Sequence, residues 1–343
     1  MAGAPDAADA YLELASLLFE TGRSGESIDT LRRALRAPLG DIPRAKLLTS
    51  LGWYIYDVTD GAEEPRTLGE RAIVLTEGTE TGEGLVARAI AEYLLAECAW
   101  LDDVDRAEEL AASAQSILNR VLESDSLLDG VDRYDAFLAA AHVNRLLRRF
   151  DEASRRCEEA LGAASDKSER LNALYALGTI YRMAGRLTDA REVFQKAIRF
   201  GAASFWLVRA YYELGLIERD MGKFAEARAK IRRAIEILQS DPTLLRGQLP
   251  ELFVLYGHLS YELEDTEEAV RSFQSAFNSS LENCPFHWNS LLWIARCQYD
   301  SGQLQSARKS AAQVEQSRFA SDEERSIANE LIHNIDLSDN RRT

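Results

Sequence analysis

The sequence predicts an all-α protein built as a solenoid of stacked helix pairs. Three observations carry this prediction: a helix-favouring composition, a motif that recurs along most of the chain, and the placement of small residues inside that motif. The 343 residues are 46% hydrophobic and 28% charged, with only seven prolines. Ala, Leu, Glu and Arg dominate, all residues that enter helices at low cost. The length exceeds what one compact core usually encloses, yet no composition break divides the chain.

The motif is clearest at residues 175–197, "YALGTIYRMAGRLTDAREVFQKA". Gly178 anchors a first helix, Gly185 marks the turn seven residues on, and Ala190, Phe194 and Ala197 fall on one face of a second helix. Taken in chain order, the first copy runs from Ala15 through Gly22 to Leu31 and Ala34. Leu51-Gly52 anchors the next, with its second helix from Pro65 to about Thr79 shifted by an insertion. Leu95 anchors a weaker copy with Ala107, Ala111 and Ala114, and Ala141 one with Ala153, Cys157 and Ala160. After Gly178 come Gly215 (with Gly222, Ala227, Ile231 and Ala234), Gly257 (Ala269, Phe273, Ala276) and Ala295 (Gly302, Ala307). Small residues let paired helices approach closely, and large ones fill the space between successive pairs. A turn glycine supplies the positive φ that ends a helix. No pair buries its apolar faces alone, so neighbours stack. At the end, Ser321 and Glu324 form a capping-box pattern, followed by Ile327, Leu331 and Ile335 at helical spacing. Residues 321–336 therefore read as a capping helix with a short loose tail after it.

This pattern resembles the tetratricopeptide repeat (TPR), about 34 residues of helix–turn–helix. Leu174, Leu177, Gly178, Tyr181, Ala190, Phe194 and Ala197 match its signature, and only the closing proline is missing, with Ala202 in its place. The resemblance covers roughly residues 8–317, strongly in 171–283 and weakly in 45–80 and 88–120. It implies a right-handed α-solenoid of about eight TPR-like helix pairs over the whole of 1–343. The expected repeats are 8–41, 45–80, 88–121, 134–167, 171–204, 208–241, 250–283 and 288–320. Anchors from Ala141 to Ala295 lie 37, 37, 42 and 38 residues apart, so loops between pairs exceed the family minimum.

The formal charge of −16 argues against nucleic acid as a partner, because phosphate binding needs a basic surface. It is unevenly spread. Residues 1–130 carry 11 basic against 25 acidic residues, residues 131–250 carry 21 against 16, and residues 251–343 carry 8 against 15. Cys98, Cys157, Cys284 and Cys297 form no CxxC, which suits a reducing, cytoplasmic setting. The N-terminal segment lacks the basic and apolar regions of a secretory signal, and no apolar run is long enough to insert in a membrane. No HExxH, zinc spacing, phosphate loop or GxSxG elbow occurs. The expectation is therefore no cofactor, no metal and no enzyme. Cys98 and Cys157 fall in the slots of Tyr181 and Phe194 and read as buried apolar residues.

In this repeat family the first helix of each pair lines the concave groove, as the resemblance implies. Four residues after each anchor stand Phe19, Tyr56, Ala99, Arg145, Arg182, Arg219, Tyr261 and Tyr299. Three consecutive arginines in one row, flanked by aromatics, are the chief candidate contacts. Tyr175 and Tyr212 lie one turn back, and Asn172 and Arg209 a further turn back. His142 follows its anchor directly, as do His258 and Arg296, and Trp293 completes the candidate face. First helices about 10 Å apart would spread the three guanidiniums over roughly 20 Å. That spacing suits an acidic or aromatic-bearing peptide segment of another protein. Each charged hydrogen bond would contribute about 1.5–3 kcal/mol in a dry groove and far less in a wet one. The same arginines also fit a solvated or internally paired row. Tyr175 and Thr179 occupy the places where the family's clamp for C-terminal carboxylates has lysine and asparagine, so chaperone-tail binding is not expected.

The leading reading is a non-catalytic interaction scaffold or adaptor. A peptide-sensing regulator that changes superhelix shape is the alternative. Homo-oligomerisation through the acidic N-terminal third and the basic middle is a third reading.

Overall fold

The computed structural model describes residues 5–58, 61–100, 102–200, 204–240, 249–282 and 284–340. Among them the protein is helical without a strand. The chain forms two compact units, Met1–Trp206 and Leu207–Thr343.

The first unit pairs α1 (Pro5–Glu20) with α2 (Ser24–Ala34), α3 (Asp41–Val58) with α4 (Glu63–Leu75), and α5 (Gly82–Ala99) with α6 (Val104–Leu122). A short α7 (Asp125–Leu128) follows, then α8 (Arg133–Leu146) with α9 (Phe150–Ala163) and α10 (Lys167–Met183) with α11 (Leu187–Arg199). Helix α12 (Ser204–Asp220) runs from the first unit into the second. The second unit continues with α13 (Phe224–Ser240), α14 (Leu249–Glu262) with α15 (Thr266–Ser279), α16 (Pro285–Asp300) with α17 (Leu304–Glu315), and α18 (Asp322–Asn340). Within each unit second helices pack on the first helix of the next pair: α2 on α3, α4 on α5, α6 on α8 and α9 on α10 in the first, and α13 on α14, α15 on α16 and α17 on α18 in the second. First helices also touch in series: α1 with α3, α3 with α5, α5 with α8, and α8 with α10. In the second unit α14 touches α16, and α16 touches α18.

The anchor glycines explain the interlock within a pair. A Cβ on Gly178 would lie 2.7 Å from the Phe194 ring, and one on Gly257 2.7 Å from the Phe273 ring. Phe194, Ile231 and Phe273 are completely buried at these contacts. Filling each such site stabilises the fold by roughly 1.5–3 kcal/mol per side chain.

The turns repeat one geometry. At Gly185 (φ 75°) the Arg186 N–H donates to Tyr181 O at 2.8 Å and the Gly185 N–H to Arg182 O at 3.0 Å, a Schellman closure. Arg148 (φ 57°) and Glu264 (φ 58°) hold the same left-handed position without glycine, at a cost of about 1–2 kcal/mol each. Their closures are intact, with Arg149 N–H to Asn144 O at 2.8 Å and Asp265 N–H to Ser260 O at 2.9 Å.

Three details differ from the sequence reading. Helix α5 starts at Gly82, six residues before the expected repeat. Gly82 lies where a Cβ would collide with Leu127 O of α7 at 1.8 Å, so the glycine marks close packing against an element the periodicity does not announce. At the other end, the capping box forms as expected: Ser321 N–H donates to Glu324 at 2.8 Å, and Glu324 N–H to Ser321 Oγ at 3.1 Å. Helix α18 then runs to Asn340, past the expected end at 336. Ala202, in the closing-proline place, lies outside the described residues.

Candidate functional site: the inner faces of the first helices

In the first unit an aromatic and charged cluster runs across α3, α5 and α8. Tyr56 meets Trp53 edge-on at 6.0 Å, Trp53 lies 4.8 Å from Tyr93, and Tyr93 stacks on His142 at 5.7 Å with the rings 7° apart. Tyr93 and Glu97 are one turn apart on α5, and the tyrosine hydroxyl donates to Glu97 at 2.8 Å. Arg145 of α8 donates to the Tyr93 oxygen at 2.9 Å and ion-pairs with Glu97. Both charged side chains are mostly buried, 20% and 16% exposed. Burial would lower the Arg145 pKa, but Tyr93 and Glu97 beside it raise it on balance. Burial, reinforced by Arg145, pushes His142 down to about 3, and its buried Nδ1 has no hydrogen-bond partner. Arg145 is therefore engaged inside the unit, holding α8 to α5.

The row of first helices in this unit curls back on itself. Phe19 of α1 stacks on Tyr54 of α3 at 4.4 Å and meets Phe205 of α12 edge-on at 6.1 Å. Ser168 of α10 donates to Glu20 of α1. Tyr175 sits 5.8 Å from both Phe194 and Trp206, so much of its ring is core. Asn172, half-buried on α10, lies against the buried Tyr134 hydroxyl. Arg182 is half-buried on the same helix.

The second unit is arranged differently. Arg219 is exposed and pairs with its neighbour Asp220 at 2.9 Å. Near it is His258, which burial and then the Arg219 charge push down to about 4. His258 lies 4.5 Å from Trp293, which stacks on Phe273 at 5.7 Å and meets Tyr261 at 5.4 Å. Tyr261 donates to Asp300 at 2.7 Å, and Arg296, exposed, pairs with the same carboxylate at 3.5 Å. Tyr212 donates to Glu251 of α14 at 2.5 Å. Arg209 and Tyr299 are half-buried. The acids that answer these residues, Glu97, Glu251 and Asp300, are absent from the sequence reading. Glu97 had a signal: it lies two places after its anchor, where Val143, Ile180 and Ile217 stand in later repeats.

Burial pushes the thiols of Cys98 and Cys297 up to about 11 and that of Cys157 to about 12, which disfavours a thiolate. Among the described residues no group of His, Cys, Asp or Glu could hold a metal ion, and no helix is long and apolar enough to cross a membrane.

Three family models described as tetratricopeptide repeat match the chain, at residues 132–203, at 2–41 and 257–323, and at 208–239. The longest unmatched stretch, 42–131, holds all but the first residue of α3 and the whole of α4 to α7, and there α3 pairs with α4 and α5 with α6. No curated protein matches in sequence. Among solved structures, yeast Tom70 superposes with a TM-score of 0.57 at 14% identity, covering 93% of this chain and 61% of that one. A Rap protein complexed with competence and sporulation factor superposes with a TM-score of 0.56 at 11% identity, covering 97% and 98%. These likenesses concern the fold. With the interlocked glycines, the repeated turns and the three family matches together, the chain belongs to the tetratricopeptide-repeat superfamily.

Proposed function

We propose that this protein is a non-catalytic interaction scaffold, an adaptor that captures an acidic or aromatic-bearing peptide segment of a partner, with the contacts made by the second unit. The observation that carries this is the exposed Arg219 beside the half-buried aromatic group of His258, Tyr261 and Trp293. An exposed pair such as Arg219–Asp220 contributes only about 0–1 kcal/mol, so a partner's carboxylate can replace Asp220 at little cost. The aromatic rings offer rigid contact area with little entropy to lose. Arg209, Tyr212 and Tyr299 extend the contact surface. Arg145 lies outside this surface, fixing α8 on α5 within the first unit.

The test is capture of partners by the wild-type protein and by Arg219→Glu and Arg209→Glu/Arg219→Glu variants, with thermal unfolding followed alongside. Capture is expected to be lost while the unfolding midpoint of Arg219→Glu stays within a degree or two of wild type. Undiminished capture by both variants would remove the reading.

A second reading, a peptide-sensing regulator, draws on the near end-to-end likeness to the Rap protein solved with competence and sporulation factor. It predicts a change in the radius of gyration on ligand binding, read by small-angle scattering; the scaffold reading predicts an unchanged radius.

A further inference from the structure

Helices α16 and α18 enclose a cleft of about 440 Å³ in the second unit. Leu292 and Trp293 of α16 form one apolar side, Ile327 and Leu331 of α18 the other. Ile327 is 42% exposed, a large apolar surface for a helix interior to leave in water. Glu323 and Glu330, at i−4 and i+3 from Ile327, share its face of α18 and line the cleft on either side of it. Both are exposed, and neither makes a hydrogen bond or ion pair among the described residues. The third carboxylate, Glu324, is spent in the capping box with Ser321. The cation on the opposite wall, Arg296, is answered by Asp300.

We propose that this cleft docks a segment of a partner protein that carries a large aliphatic or aromatic side chain flanked on both sides by lysine or arginine. The apolar side chain enters between Trp293 and Ile327, and the two cations meet Glu323 and Glu330. Charge decides the occupant. Two unanswered carboxylates around an apolar floor favour a cationic amphipathic segment and repel an acidic one. A second copy docked cleft to cleft fits poorly, because residues 251–343 carry 8 basic against 15 acidic residues and would bring like charge to the cleft. The inference rests on the scaffold reading and shares Trp293 with it, but its charged residues and its α18 wall are different. It gives the inner face of the second unit a polarity, with Arg209 and Arg219 on α12 suited to a partner's acids and α18 suited to its bases.

The probe is a short fluorescein-labelled peptide of alternating leucine and lysine, with a control in which every lysine is glutamate. Anisotropy titrations would use wild type, Glu323→Lys/Glu330→Lys and Ile327→Glu, each checked for an unchanged unfolding curve. If the charge-reversed variant unfolds early, Glu323→Gln/Glu330→Gln takes its place. Wild type is expected to bind the lysine peptide in the cleft, and any binding of the control belongs to the Arg219 surface and should be lost in Arg219→Glu while the cleft variants keep it. Affinity for the lysine peptide should fall roughly tenfold or more in either cleft variant, the scale of one or two interfacial ion pairs. Arg219→Glu, which tests the scaffold reading, should leave it unchanged. Equal binding of the lysine peptide by wild type and the cleft variants would overturn the proposal, as would its failure to bind or a preference of Arg219→Glu for the glutamate control. Sedimentation showing a wild-type dimer that Ile327→Glu dissolves would assign the cleft to a second copy and overturn it equally.

Discussion

Arg145 and Arg219 occupy the same place in their repeats, four residues after the anchor, and meet opposite surroundings. In the first unit Arg145 is clasped by Tyr93 and Glu97 of the preceding first helix, with His142 stacked alongside. In the second unit Arg219 stands in water beside its own neighbour, Asp220. In sequence register, the slot two places after the anchor holds Glu97 in the repeat before Arg145, and it holds the buried Ile180 in the repeat before Arg219. Repeat register therefore fixes where Arg145 stands, and a residue of the preceding repeat, Glu97, fixes its surroundings.

The largest effect should come where the two units agree. Phe194→Ala in the first and Phe273→Ala in the second each empty the space against an anchor glycine, and each is expected to cost about 3–5 kcal/mol in urea unfolding. A cost near 1 kcal/mol in either would mean that its interlock is not the unit's core. Next comes the contrast itself. Arg145→Ala leaves Glu97 mostly buried without a counter-charge and should cost about 2–3 kcal/mol, less than a fully dry pair because both side chains keep some water. Arg219→Ala should stay within about 0.5 kcal/mol of wild type.

A smaller effect concerns pH. His142 and His258 titrate in the folded protein at about 3 and about 4, below the unfolded value near 6.5. The unfolded chain thus binds more protons over this range, so stability is fullest above about pH 6.5 and falls as the pH drops toward these folded values. His142→Phe should flatten that loss in the first unit, and NMR should find the wild-type His142 ring neutral at pH 5. A ring that titrates near 6.5 would show that the Tyr93 stack does not hold it away from water.

The fold was legible because steric demands recur. A glycine opposite a Phe or Ile, and a turn residue seven places later, mark a pair wherever they appear, and the capping box of α18 depends on two residues alone. The turns at Arg148 and Glu264 show the limit of that signal, since the Schellman bonds hold the left-handed position without glycine. Helix α7 was hidden because four residues carry no period, and its only trace is Gly82. The inner-face rows were legible as positions but not as environments. Which arginine meets a carboxylate depends on contacts between repeats, such as Glu97 with Arg145, that a register aligned within each repeat does not compare. The curling of α1 onto α10 through Glu20 and Ser168, 148 residues apart, is a still longer-range contact.

The contrast between the two arginines is tested most directly by two double-mutant cycles measured side by side, Glu97→Gln with Arg145→Gln and Asp220→Asn with Arg219→Gln. The expected coupling is about 1–3 kcal/mol for the first pair and within about 0.5 kcal/mol of zero for the second. Equal couplings, or a larger one at Arg219, would contradict the assignment of Arg145 to the protein's own packing and of Arg219 to a partner.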